Sequence, residues 1–317
     1  MKKIILSGSS NIPLAKKIAK QMNTELGNII IKKFSDGEKY VNVQENVKGK
    51  EVIILQSGSI PSDEHVLELF LILDAVKRLK PKKITVVLSF YPYRRQERES
   101  KKGDAVSAQV IARLLQANKI DKLVVIDLHS PAIKRFYKIP VKEISTFSLF
   151  ADYFRKKDID IVVAPDEGSI ARSRKFASYM GLPLLVMKKI RIKHDKVSSL
   201  TTAYGGVPPK AGKTVSGKNA NIAKKNVVMI DDEINTAGTL VENVRLLKKL
   251  GTNKMYFAAT HAVLSEPAIQ RLKKSGLEEI VVTDSIALPP EKKFSQLKVI
   301  SLSDLITDEL TDINTRE

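Results

Sequence analysis

The 317 residues include 54 Lys and Arg against 35 Asp and Glu, a formal charge of +19, with no cysteine and no tryptophan. Lack of thiols excludes disulfides, thiolate metal sites and cysteine nucleophiles and fits a cytoplasmic enzyme. No apolar run approaches the ~20 residues that span a bilayer, and no stretch interleaves cations with aromatics as nucleic-acid platforms do, so neither membrane nor nucleic acid is an expected partner. The positive excess suits anionic metabolites, although a solvated lysine-rich surface would give the same count.

In chain order, hydrophobic periodicity predicts a strand over 3–6, a helix over 12–22, strands over 29–33 and 51–56, a helix over 62–79, a strand over 84–90, a helix over 105–117 and a strand over 122–128. A helix over 148–156 follows, then strand 159–164, helix 169–180, strands 184–187 and 226–230, and helix 236–250. Strand 254–259, helix 268–274, strands 279–283 and 297–300 and helix 303–310 complete the series. The first strand follows two lysines, but its apolar stretch is too short for a signal-peptide core. Continuous apolar strands such as ITVVL and NVVMI are buried on both faces, which means parallel sheets flanked by helices. So many strands exceed one ordinary sheet, and two α/β domains joined near 140–147 are the better solution. Residues 196–225, polar and rich in Gly, Ser, Lys and Pro, read as a long irregular flap. Within it, Gly206 to Thr214 mimics a phosphate-binding P-loop but has one residue too many between its glycines and no preceding strand.

The strongest local signal is VVMIDDEINTAGTL, residues 227–240. An apolar strand ends in Asp231 and Asp232, and the loop Asn235, Thr236, Ala237, Gly238, Thr239 opens a helix. Backbone N–H groups and hydroxyls at a helix N-terminus favour phosphate, glycine at 238 allows close approach, and two carboxylates suit a ribose diol. An ordinary strand-to-helix turn capped by Thr is the plain alternative. Of four histidines, His129 stands out because it ends an apolar strand beside Asp127, where α/β sites form.

This loop resembles the one shared by type I phosphoribosyltransferases and ribose-phosphate pyrophosphokinases, and other segments separate the two. Phe34 to Glu38 (FSDGE), Tyr93 to Glu97 (YRRQE), Asp127 to His129 (DLH), Pro165 to Gly168 (PDEG) and Thr260-His261 resemble, in order, motifs of the pyrophosphokinases. The resemblance implies two tandem phosphoribosyltransferase-like domains, an ATP-side domain over 1–146 and a sugar-phosphate domain with the flap over 147–302, then a terminal helix and tail over 303–317. It implies that Phe34, Asp36, Glu38, Arg95 and Gln96 hold ATP and that Asp231, Asp232 and residues 235–239 hold ribose 5-phosphate. It further implies that His129 and Asp166 contact Mg²⁺, and that Lys189 and Arg191 act in catalysis. Magnesium takes oxygen ligands and keeps several waters, so one or two protein ligands suffice. The implied partner is a second copy of the chain, at least as a homodimer. Control by phosphate and ADP and assembly as a hexamer are left open by the resemblance, because residues 313–317, INTRE, do not match the tail common in the phosphate-activated class. Asn235 stands where the family usually has Asp. That departure keeps one rival in view, a non-catalytic subunit of the same fold; the other rival, a phosphoribosyltransferase, is opposed by the FSDGE and DLH segments.

Overall fold

Short apolar runs bounded by turn residues pair in parallel, as burial on both faces requires. The computed structural model describes residues 3–188, 200–205, 215–217 and 222–311. Its first sheet grows from β1 (Lys3–Ser7), followed by α1 (Ile12–Gln21), a hairpin of β2 (Ile29–Lys33) and β3 (Lys39–Val43), and β4 (Glu51–Ser57). Then come α2 (Ser62–Arg78), β5 (Lys83–Phe90), α3 (Ser107–Ala117), β6 (Lys122–Ile126) and β7 (Val141–Ile144). The strands lie in the order β1-β4-β5-β6-β7, all parallel, while β2 and β3 form their own antiparallel pair. Because each step advances the same way, right-handed crossovers carry α2 and α3 to one face. There Leu69, Ile72, Val76, Ile111 and Leu115 pack on Ile4, Val52, Val86 and Leu123. The alternate strand residues, among them Ile5, Ile53, Leu55 and Val124, are equally buried.

The second sheet contains β8 (Ile161–Ala164), β9 (Leu184–Lys188), β10 (Leu200–Gly205), β11 (Val215–Gly217), β12 (Val227–Ile234), β13 (Met255–Ala262), β14 (Glu279–Thr283) and β15 (Leu297–Ile300). Its helices are α4 (Phe147–Phe154), α5 (Ile170–Met180), α6 (Gly238–Lys249) and α7 (Ala268–Lys273). The order is β11-β10-β9-β8-β12-β13-β14-β15, parallel from β9 to β15, with β10 and β11 added antiparallel at one edge. Along β12, Val227 and Met229 face α6 and α7 through Val244, Leu247 and Leu272. Val228 and Ile230 face α4 and α5 through Phe150, Phe154 and Phe176. Two helical layers therefore enclose this sheet.

The chain divides into two units, one made of the residues up to Ser145 with Asp284–Ala287 and the stretch from Ser301 onward, the other of Thr146–Thr283 with Leu288–Ile300. The closing helix α8 (Ser303–Leu310) thus belongs to the first unit, where it packs beside α1. Element boundaries differ from the sequence reading where chemistry is dense. β6 stops at Ile126, leaving Asp127, Leu128 and His129 beyond it; β12 runs to Ile234, so Asp231 and Asp232 lie inside the strand; and α6 opens at Gly238, two residues later than expected. The 196–225 segment, read as irregular, contains β10 and β11.

Candidate active site

The second sheet winds outward in opposite directions from one seam. From β8 the chain passes through α5 to β9 on one side, and from β12 through α6 to β13 on the other. The carboxyl ends of β8 and β12 therefore flank a switch point, where open parallel sheets leave a crevice for ligands. Asp166 follows β8 closely, and Asp231 and Asp232 stand in the last part of β12. Burial first, then the charge and hydrogen bonding of Asp232 and the charge of Asp166, push the Asp231 carboxyl up to about 8. The Asp232 N–H donates to Asp231 Oδ1 at 2.9 Å and acts the other way. Three carboxyl groups thus share one locale, and Asp231 resists ionising there until something polar or cationic joins it.

The turn after β12 is built to leave donors open. Ala237 caps α6 in the left-handed region, at φ +58°, and offers no side-chain acceptor; the first turn of α6 has no acid. That combination leaves the positive end of the helix for an outside anion. The structure assigns the unusual backbone to Ala237 and not to Gly238. A Cβ at 238 would lie at ordinary contact distance from Arg271 Nη1, 3.4 Å. Arg271, on α7, donates to the Thr236 carbonyl at 2.9 Å and braces the loop from behind. Thr236 and Thr239 are exposed, while Asn235 is half-buried; its Oδ1 is buried and meets no donor among the described residues. A second brace is Asn243, one turn further along α6, which donates to the Pro165 carbonyl at 2.9 Å. Asp166 Oδ1 in turn accepts from the Ser169 N–H at 2.8 Å, and Ser169 Oγ donates back to the Asp166 carbonyl at 2.8 Å. The sequence offered no sign of Arg271 or Asn243, since both sit on ordinary helix faces.

Strain marks the same strand ends. Among the described residues, outside the turns that follow α1, α2 and α3 and the approach to β12, the non-glycine residues at positive φ are Tyr93, Asp127, Ala237 and Leu264. They follow β5, β6, β12 and β13 respectively, at the carboxyl ends of parallel strands. An L-residue in the left-handed region costs roughly 1–2 kcal/mol, and such cost gathers where a fold holds functional groups.

In the first unit, FSDGE is the tip of the β2–β3 hairpin, as the turn chemistry of Ser, Asp and Gly suggests. The Phe34 N–H donates to the Glu38 carbonyl at 2.8 Å, Gly37 takes φ +96°, and Asp36 Oδ1 accepts from the Glu38 N–H at 3.0 Å. Phe34 is 53% exposed and Tyr40 42% exposed, their ring centroids 6.0 Å apart. Two large aromatics held in water form an apolar platform, and Tyr40 escaped the sequence reading. Gln96 Oε1 accepts from Ser107 Oγ at 2.5 Å, and Arg95 is exposed. Arg94, in contrast, is buried with its guanidinium 4.0 Å from the Phe90 ring centroid. His129 is exposed just past β6. Among the described residues no group of three or more His, Asp and Glu could hold a metal by itself, and no helix is long and apolar enough to cross a membrane. Lys189 and Arg191 lie outside the described residues, directly after β9.

Two sequence families match the chain: the N-terminal domain of ribose phosphate pyrophosphokinase over residues 3–118 and the phosphoribosyl synthetase-associated domain over 152–317. The ribose-phosphate pyrophosphokinase of Bacillus caldolyticus is 37% identical, over 96% of this chain and 92% of its own. That of Synechococcus elongatus is 36% identical, over 98% and 90%. The crystal structure of phosphoribosylpyrophosphate synthetase from Mycobacterium smegmatis superposes with a TM-score of 0.88 at 30% identity, covering both chains fully. Fold and matches together define a transferase of nucleotide biosynthesis built on tandem α/β units with mostly parallel sheets. The chain belongs to the ribose-phosphate pyrophosphokinase family and is an enzyme of that class.

Proposed function

We propose that the protein transfers the β,γ-diphosphoryl group of Mg²⁺–ATP to the C1 hydroxyl of ribose 5-phosphate, giving phosphoribosyl pyrophosphate and AMP. The observation that carries this reading is the turn from β12 into α6: buried acids, then a helix start without side-chain cap or first-turn acid. The sugar phosphate sits on the N–H groups and hydroxyls of Asn235 to Thr239, and Asp231 and Asp232 accept from the ribose hydroxyls. The buried Oδ1 of Asn235 supplies one more acceptor for a hydroxyl, though without the charge of an aspartate. The exposed Phe34–Tyr40 platform suits a purine, with Asp36 and Glu38 beside it on the hairpin tip, and Arg95 and Gln96 complete the ATP contacts.

The C1 oxygen attacks the β-phosphorus in line, forming one P–O bond as the bond from that phosphorus to the α,β-bridging oxygen breaks; that oxygen leaves with AMP, and the hydroxyl proton passes to solvent. Lys189 and Arg191 stabilise the negative charge that builds on the transferring group. His129 and Asp166 are the residues that would contact a magnesium ion bound with the nucleotide, and the ion would supply charge neutralisation of the triphosphate. The enzyme works in the cytoplasm as a homo-oligomer. Incubating purified protein with Mg²⁺, ATP and ribose 5-phosphate and measuring AMP and phosphoribosyl pyrophosphate tests the proposal. Equal formation of both supports it. Turnover only with a nucleobase and phosphoribosyl pyrophosphate indicates a phosphoribosyltransferase, and ligand binding without turnover a non-catalytic subunit.

A further inference from the structure

The β2–β3 hairpin is a two-stranded element, and such pairs are marginal without support. Its last rung before the loop is Lys33 opposite Lys39, two like charges that disfavour the pairing. On α2, Glu64 and Glu68 stand one turn apart, again like charges at a costly spacing. The two faults cancel each other. Lys33 Nζ lies 3.0 Å from Glu64 Oε1, and Lys39 Nζ lies 2.5 Å from Glu68 Oε2. The outer pair is half-exposed and weak, whereas the Glu68 side chain is fully buried and that of Lys39 is 11% exposed. Burying a carboxylate is costly unless its lone pairs are satisfied. Here the Ser9 N–H donates at 2.6 Å, Ser9 Oγ at 2.7 Å and Gln56 Nε2 at 2.9 Å. Ser9 belongs to the turn after β1 and Gln56 to β4, so Glu68 joins the sheet to the hairpin through one ammonium. Gln56 is itself held, its Oε1 accepting from the Ser10 N–H at 3.3 Å and its Nε2 donating to the His65 carbonyl at 3.0 Å.

We propose that the Lys39–Glu68 pair is a positioning device that sets the pose of the nucleotide-binding hairpin tip, Phe34 to Glu38, against the first unit. Lys39 touches no substrate; it adjoins the loop in sequence and carries the anchoring force to it. The inference rests on the reading of the hairpin as the adenine contact. Steady-state KM for ATP and for ribose 5-phosphate, kcat and urea midpoints are measured for Phe34→Ala, Lys39→Met and Phe34→Ala/Lys39→Met. A fourth variant, Lys39→Met/Glu68→Gln, removes the orphaned charge and keeps the test alive where Lys39→Met folds poorly. Lys39→Met raises the KM for ATP about tenfold, within the range of coupling between residues in one network, while kcat and the KM for ribose 5-phosphate stay within about twofold. The Phe34→Ala/Lys39→Met protein is no worse for ATP than the worse single variant, because the loop's contact can be lost only once. Multiplicative effects, an equal rise in both KM values, or an ATP KM unchanged in both Lys39 variants overturn the positioning role. If Phe34→Ala itself leaves the ATP KM unchanged, the adenine reading falls and takes this inference with it.

Discussion

Replacing Asn243 tests whether the two loops at the β8–β12 seam are fastened together. Its side chain is 3% exposed and donates to the Pro165 carbonyl at 2.9 Å. Asn243→Ala leaves that buried carbonyl without its donor, at a cost of about 1–3 kcal/mol. The vacated space adds roughly 1 kcal/mol, so a loss of about 2–4 kcal/mol is expected. For a unit of this size, ~2–4 °C per kcal/mol converts the loss into a Tm fall of roughly 4–16 °C. Asn243→Asp separates shape from hydrogen bonding, because it keeps the outline but puts an acceptor against an acceptor when ionised. Burial and the facing carbonyl raise its folded pKa above the unfolded value, so the variant is most stable below the usual aspartate range. That stability drains as the pH rises through the folded pKa. Thermal melts by circular dichroism at pH 5 and pH 8 check both variants. An Ala variant within about 0.5 kcal/mol of wild type, or an Asp variant as stable as wild type at pH 8, refutes the fastening.

Arg271→Ala removes the brace behind Thr236 and should raise the KM for ribose 5-phosphate about fivefold, the worth of one charge-assisted bond near the surface, with the KM for ATP unmoved; Arg271→Lys should restore part of it. Lys189→Ala should lower kcat by about 10²-fold or more while changing the KM for ribose 5-phosphate little, since its charge matters mainly as the transition state forms; near-normal kcat removes Lys189 from catalysis. Burial alone would raise the Glu68 carboxyl, but hydrogen bonds from Lys39, Ser9 and Gln56 outweigh it and hold the group below its ordinary 4.5. Its contribution to stability is therefore full above that value and is lost as the pH falls through the folded pKa. In urea titrations, the gap between wild type and Glu68→Gln should narrow from pH 6 to pH 3, and a constant gap contradicts the pairing.

Much of the architecture was legible because alternating apolar runs and helical spacings depend on the local chain. β2, β14, β15 and α8 lie where periodicity predicts them. The reading lost ground where neighbours decide. In β12, consecutive charges after Ile230 look like the end of a strand. Yet Glu233 stands in register with His261 of β13, and Asp232 and Glu233 are buried; the adjoining strand extends the ladder through them. β3, KYVNV, and β7, VKEI, carry too few apolar residues to announce themselves, because one pairs in an isolated hairpin and the other closes a sheet edge. At the phosphate loop, the sequence singled out Gly238 for close approach of the backbone, and only the fold shows that the left-handed residue of the loop is Ala237. The acids, hydroxyls and hairpin tip could be named from sequence; the residues that brace them are ordinary surface or helix positions until the fold brings them near.

The first unit is discontinuous in the chain. Asp284 accepts from the Leu302 N–H at 2.8 Å and pairs with Lys17 of α1 at 2.8 Å, and Glu309 of α8 takes Lys122 of β6 at 2.7 Å. During synthesis, the sheet and core of the opening 145 residues are complete before these last partners of α1 and β6 are made, while everything needed for the central unit is already present by Ile300. A nascent chain stalled short of α8 would expose the apolar face of α1 to whatever else is in reach, including other nascent copies.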